Sequence, residues 1–203
     1  MTNIEAYDIS NTGDFGIVSA MTVHVDGKPL KRAYRKFRMK TVEHQNDYGS
    51  MFETITRRFA RMLEGDEKFA EKPDLLFIDG GAEHAAAAES ALAELGLSIP
   101  VFGMVKDDRH RTRALITAEG REIGIQANPA VFALVGRIQE ETHRFAIEYH
   151  RSLRDSVSPS KLEEILDAVR VLAGDSCYVM NLASRTDTEQ LYQLIQEKAF
   201  APK

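Results

Sequence analysis

Apolar positions in the first part of the chain repeat at every second residue, the spacing of β-strands. Ile4 to Ser10 is a short, largely apolar run closed by Asn11-Thr12-Gly13, which predicts a buried strand and a turn. From Phe15 to Val25 the odd positions Ile17, Met21, Val23 and Val25 are apolar, interrupted by Ser19, and predict a second strand. Asp26-Gly27 is a hairpin signal. A third strand is expected over Leu30 to Lys40, with Ala33, Arg35, Phe37 and Met39 on one face. Arg32, Tyr34, Lys36, Arg38 and Lys40 occupy the other.

The period then changes to that of a helix. Tyr48, Met51, Phe52, Ile55, Phe59, Met62 and Leu63 recur at steps of three and four, with Asn46 or Asp47 as the cap. Asp74 to Asp79 reads as a buried strand broken by Gly80-Gly81, after which an alanine-rich helix runs to about Leu95 and stops at Gly96. Ile99 to Val105 is the next strand, and Ala114 to Ile125 suits a hairpin around Glu119-Gly120. Asn128-Pro129 opens a long helix to about Arg154, with Val131, Val135, Ile138, Thr142, Phe145 and Tyr149 on one stripe. Hairpin-connected strands followed by βαβ units predict an α/β fold, a mixed five-stranded sheet with helices on both faces. A linker near Ser156 to Ser160 divides residues 1–157 from a small helical region, residues 158–203.

Composition narrows the class. With 203 residues, 43% of them hydrophobic, a buried core is available, and no apolar run is long enough for a membrane span. One cysteine, Cys177, excludes an intramolecular disulfide framework and a cysteine-rich zinc site. A soluble, cytoplasmic protein is the expectation. The net charge of -5 argues against a protein that coats nucleic acid everywhere, yet Lys28 to Lys40 holds seven basic residues and no acidic one. A local polyanion site and a solvated edge strand fit that segment equally.

Carboxylates inside apolar strands are costly unless they bind a cation or are well hydrogen-bonded, and Asp8 and Asp79 are both so placed. The predicted topology sets them on adjacent strands at one end of the sheet, where a helix carrying His143 can lean across. Two carboxylates brought together suit Mg²⁺ or Mn²⁺ and phosphodiester chemistry. The same residues also suit plain roles: Asp8 capping a turn, Asp79 accepting from the Gly80-Gly81 amides, His143 on a helix surface. Asp47 reads first as a helix cap. The charged loop of Lys106, Asp107, Asp108, Arg109, His110 and Arg111 is either a phosphate site or solvated.

Several segments carry a family resemblance: YDISNTG from Tyr7, VDGKPLKRAYRKFRMKTV, NDYGSM, LLFIDGG, PVFGMVKDDRHRTR and RIQEETHRFAIEYHRSLR. In order and spacing they resemble the C-terminal nuclease half of UvrC, the incision subunit of bacterial nucleotide excision repair, from about Ile4 to Ile165. The resemblance implies an RNase H-like fold and a divalent-metal-dependent DNA endonuclease that cuts 5′ of a lesion. It places the family's Asp-Asp-His set on Asp8, Asp79 and His143, with Asp8 and Asp79 as Mg²⁺ or Mn²⁺ ligands and His143 handling water or the leaving oxygen. A further family carboxylate falls on Asp47, beside Asn46 where the family has Asp. Arg32, Lys36, Arg38, Lys106, Arg109, Arg111, Arg144 and Arg151 would meet the DNA backbone. The implied partners are damaged double-stranded DNA and its complex with UvrB, although the family's GIY-YIG nuclease, cysteine-rich and UvrB-binding segments have no counterpart here.

Three departures from the family pattern stand out. IDGGKGQ is IDGGAEH, which exchanges a lysine for Ala82, and IRDEAH is IQEETH, which looks mild. In the tail, the Pro-Gly-Ile-Gly of a helix-hairpin-helix is Leu166-Asp167-Ala168-Val169, and Gly174 is the only glycine left. Such hairpins need glycine to approach DNA, so a degenerate helical tail with little DNA affinity is expected. The rival reading is a non-catalytic DNA-binding or repair-scaffold module on the same fold. The set Asp8, Asp79 and His143 argues against it, because a structural role needs no such set.

Overall fold

The computed structural model describes residues 1–11, 17–40, 46–107 and 112–155, without the side chains of 150, 151 and 153–155. The expectations for the 158–203 region lie outside the described residues. The elements are β1 (Asn3–Asn11), β2 (Ile17–Val25), β3 (Lys28–Pro29), β4 (Arg35–Arg38), α1 (Asp47–Leu63), β5 (Leu75–Ile78), α2 (Ala82–Glu94), β6 (Val101–Lys106), β7 (Thr112–Ile116), β8 (Glu122–Gly124) and α3 (Pro129–Asp155).

They form one mixed sheet in the order β3-β2-β1-β5-β6-β7-β8, with β4 also paired to β2. Among the described residues it has eight strands rather than five. Two causes account for the extra strands. The expected third strand, Leu30 to Lys40, is shortened to Arg35–Arg38 because Lys31–Ala33 coils into a short 3₁₀ turn, and the separate two-residue β3 precedes that turn. Arg35 holds that turn by donating to the carbonyls of Arg32 and Tyr34. At the opposite edge, the β7–β8 hairpin continues the same sheet through antiparallel pairing with β6. The Asp26-Gly27 turn behaves as its sequence predicts: both residues take positive φ, 49° and 74°, as a two-residue hairpin of right-handed twist requires.

The two faces of the sheet carry separate cores. On one, Met51, Ile55 and Phe59 of α1 and Ala85, Ala88, Ala91 and Leu92 of α2 pack on Tyr7, Met21, Leu76 and Ile78. On the other, Val135 and Ile138 of α3 cover Ile4, Ala6, Phe77, Met104 and Leu115. The small alanines of α2 bring that helix close to the sheet. Two details of the helical stripes differ from expectation. Tyr48 and Leu63 end α1 exposed, and Val131 stands exposed at the start of α3, while Ala146 is buried instead. Terminal positions of a stripe overhang the sheet, so periodicity alone overstates their burial.

Inside the first core lies a charged group that the pattern did not predict. Arg58, 2% exposed, donates to Glu5 Oε1 at 2.6 Å and to the backbone carbonyls of Phe69 and Glu71. Tyr7 donates to the other oxygen of Glu5 at 2.5 Å. The network fastens α1 and the segment before β5 to the strand that carries Asp8.

Candidate active site

Parallel pairing of β1 with β5 sets Tyr7 opposite Ile78, so Asp8 and Asp79 leave the sheet side by side at one end. The Asp79 amide donates to the Tyr7 carbonyl at 2.7 Å, which continues the ladder one residue past the end of β5, while β1 runs on beside β2 to Asn11. Gly103 on β6 permits the turn after Asp79: a Cβ there would lie 2.5 Å from the Gly80 carbonyl oxygen. α3 crosses this end and brings His143 Nδ1 to 3.1 Å from Asp8 Oδ2. Ligand-type atoms of Asp8, Asp79 and His143 all lie within 4.8 Å of one another. Together with Asp47, Gly80, Gly81, His84 and Lys106 they line a cavity of about 450 Å³.

The electrostatics follow from that crowding. Burial, then the adjacent Asp79, pushes the Asp8 carboxyl up to about 6, against the opposing pull of His143 and Lys106. Asp79 is fully engaged. Lys106 Nζ lies 2.8 Å from its Oδ2, and Gln139 Nε2 donates to its Oδ1 at 2.8 Å. Gln139 also donates to the Met104 carbonyl and accepts from the Thr112 hydroxyl, so its amide is fixed at both ends. Lys106 was expected on DNA; the fold places it inside the carboxylate cluster.

Gln139 was missed altogether. Its signal lay in the exchange of IRDEAH for IQEETH, which looked mild and in fact alters the immediate surroundings of Asp79. His84 was missed too. It stands in the altered IDGGAEH segment, its ring against Gly80, and its Nε2 is 3.9 Å from Asp47 Oδ2. Asp47 does not cap α1; Asn46 does, accepting from the Gly49 amide at 2.8 Å, which leaves Asp47 facing the cavity.

The expected DNA contacts separate into groups. Lys36 and Arg38 alternate outward on β4 around buried Phe37, and Lys36 stacks over Phe145 and Tyr149 at 5.0 and 4.9 Å. Arg32 falls in the 3₁₀ turn and does not share the strand face, because the strand breaks before it reaches that register. Arg144 is exposed and tied to Glu141 and Glu148 at 2.7 and 2.9 Å. Arg109 and Arg111 lie outside the described residues, as does the side chain of Arg151. Among the described residues no helix is long and apolar enough to cross a membrane.

The donor set suits a hard divalent cation: two carboxylates and an imidazole converge, and the charge they concentrate is offset by one lysine.

Residues 1–147 match the family described as "UvrC RNAse H endonuclease domain". "UvrABC system protein C" of Thermoanaerobacter sp. (strain X514) is 49% identical over 174 residues, covering 80% of this chain and 28% of that protein. The protein of the same name from Ruminiclostridium cellulolyticum is 47% identical over 169 residues, covering 80% of this chain and 27% of its own. The chain thus spans little more than a quarter of the relatives it matches. Among solved structures, the crystal structure of human ENDOV aligns at a TM-score of 0.46 and 9% identity, over 78% of this chain and 87% of that one.

Proposed function

The chain belongs to the UvrC RNase H endonuclease domain family, and from that premise we propose that it is a divalent-metal-dependent DNA endonuclease making the 5′ incision beside a lesion. The observation that carries this reading is the convergence of Asp8, Asp79 and His143 within 4.8 Å at one end of the sheet. Asp8 and Asp79 would hold Mg²⁺ or Mn²⁺, with Asp47 lining the same cavity. A cation bound there would neutralise the phosphate under attack and acidify the attacking water.

The protein's own groups supply the remainder. The bond to Asp8 engages Nδ1 of His143 and leaves Nε2 to exchange a proton with water or with the departing oxygen. Gln139 holds Asp79 in one orientation, so its carboxylate needs no rearrangement when substrate arrives. Lys106 is within reach of a phosphate oxygen once a cation takes over the charge of Asp79. Lys36, Arg38 and Arg32 present charge to the DNA backbone, a sequence-independent contribution to binding.

The proposed partner is damaged double-stranded DNA, presented in a complex with UvrB. The test is to map the cut on a duplex carrying one bulky lesion, preloaded with UvrB, in Mn²⁺. A single nick on the 5′ side of the lesion is expected. Cutting on the 3′ side alone, or none, would contradict the proposal.

A further inference from the structure

A second cavity, about 620 Å³, adjoins the first across Lys106 and His143, which line both. Its size falls within the range of roughly 300–1,000 Å³ common to small-molecule sites. Along α3 its wall is Phe132, Gly136, Gln139, Glu140 and His143, steps of four and three that form one face of the helix. The opposite wall includes Thr112 and Gln126.

Three features tell what would occupy it. The lining is neutral or acidic apart from the lysine and histidine at the junction, so it does not suit a phosphate chain. Phe132, 37% exposed, brings an aromatic side chain to this wall from the first turn of α3, beside the equally exposed Val131. Gly136 sits in mid-helix, where glycine costs stability, yet a Cβ there would meet nothing nearer than Thr112 Oγ1 at 4.0 Å. Packing does not require that glycine. Its effect is to keep the groove open beside the aromatic ring.

We infer that this groove receives an unpaired nucleobase from the nucleotide next to the phosphate held in the first cavity. The base would stack on Phe132 and slide over Gly136, with Thr112, Gln126 and Glu140 at its polar edge, while its backbone passes Lys106 and His143. This rests on the nuclease reading above and adds a strand-opening preference to it: DNA already unpaired beside the cut would be favoured, since extruding a paired base costs energy.

The experiment compares the full 203-residue chain with Phe132→Ala and Gly136→Leu. Fluorescence anisotropy would measure affinity for a fully paired duplex and for duplexes with one unpaired nucleotide, and Mn²⁺-dependent nicking would be followed in parallel. Wild type should prefer an unpaired nucleotide roughly tenfold, the range that stacking one base on an aromatic supplies. Both variants should lose that preference while binding paired duplex as wild type does. Phe132→Ala is a surface change, so it remains informative if Gly136→Leu fails to fold. Absence of the preference in wild type, or its survival in Phe132→Ala, would overturn the subsite while leaving nicking intact. A wild type that nicks no duplex would overturn the nuclease reading, and the subsite with it.

Discussion

His143 Nδ1 lies 3.1 Å from Asp8 Oδ2, a contact between residues 135 positions apart. It links the last described helix to the first strand just past the end of the β1–β5 pairing, and it makes the cavity a product of the whole topology. Every secondary-structure layer contributes: β1 gives Asp8, β5 leads to Asp79, β6 gives Lys106, α1 gives Asp47 and α3 gives His143 and Gln139.

Replacing Asp8 with Asn should stabilise the cation-free protein at neutral pH while ending nicking. The folded-state carboxyl is raised to about 6 by burial and by Asp79, so ionising it costs the fold energy that the unfolded chain does not pay. Stability should therefore fall as pH rises from about 4 to about 6, by about 3 kcal/mol, and stay lower above that. Melting in EDTA would check this: Asp8→Asn should melt several degrees above wild type at pH 8 and level with it at pH 4.

Replacing Lys106 with Met should tighten Mn²⁺ binding. The ammonium now balances Asp79 at 2.8 Å, and an arriving cation must displace it. Electron paramagnetic resonance titration of free Mn²⁺ should show affinity raised by roughly tenfold, the scale of one neighbouring charge at partial exposure. Unchanged or weaker affinity would mean that the lysine does not compete.

Arg58 should tolerate change poorly. Arg58→Leu would leave the Glu5 carboxylate buried and unpaired and would strip two backbone carbonyls of their donor. A loss of about 3–5 kcal/mol is expected, read from the urea midpoint. If the midpoint barely moves, the network contributes little.

Much of this arrangement is legible in the sequence, and what is not has identifiable causes. Asp8 and Asp79 stand out because a carboxylate inside an apolar strand is conspicuous, and hairpin and βαβ connections then bring their strands together. The burial of Arg58 was not legible: an arginine among apolar positions of α1 carries no such signal by itself, and only the position of Glu5 across the core accounts for it. Gln139 was hidden for a different reason. A neutral amide draws no attention from charge patterns, and its importance comes from the long-range approach of α3 to Asp79. His84 gained its role in the same way, through the close approach of its ring that Gly80 permits.

The basic strand gives a prediction tied to salt. Lys36→Ala should weaken binding to any DNA sequence equally and lower the slope of log affinity against log salt by about one unit. Loss of affinity with an unchanged slope would instead assign Lys36 to packing on Phe145 and Tyr149.

The most direct test of the central claim is the nicking rate of wild type, Asp8→Asn, Asp79→Asn and His143→Ala on one lesion-bearing duplex, each in Mn²⁺ and in EDTA. One shared metal-dependent centre predicts nicking by wild type in Mn²⁺ alone, with each variant slowed by at least about a hundredfold, as removal of a single group engaged in proton transfer or charge stabilisation does. Wild-type nicking that persists in EDTA, or variants that cut at the wild-type rate, would contradict it.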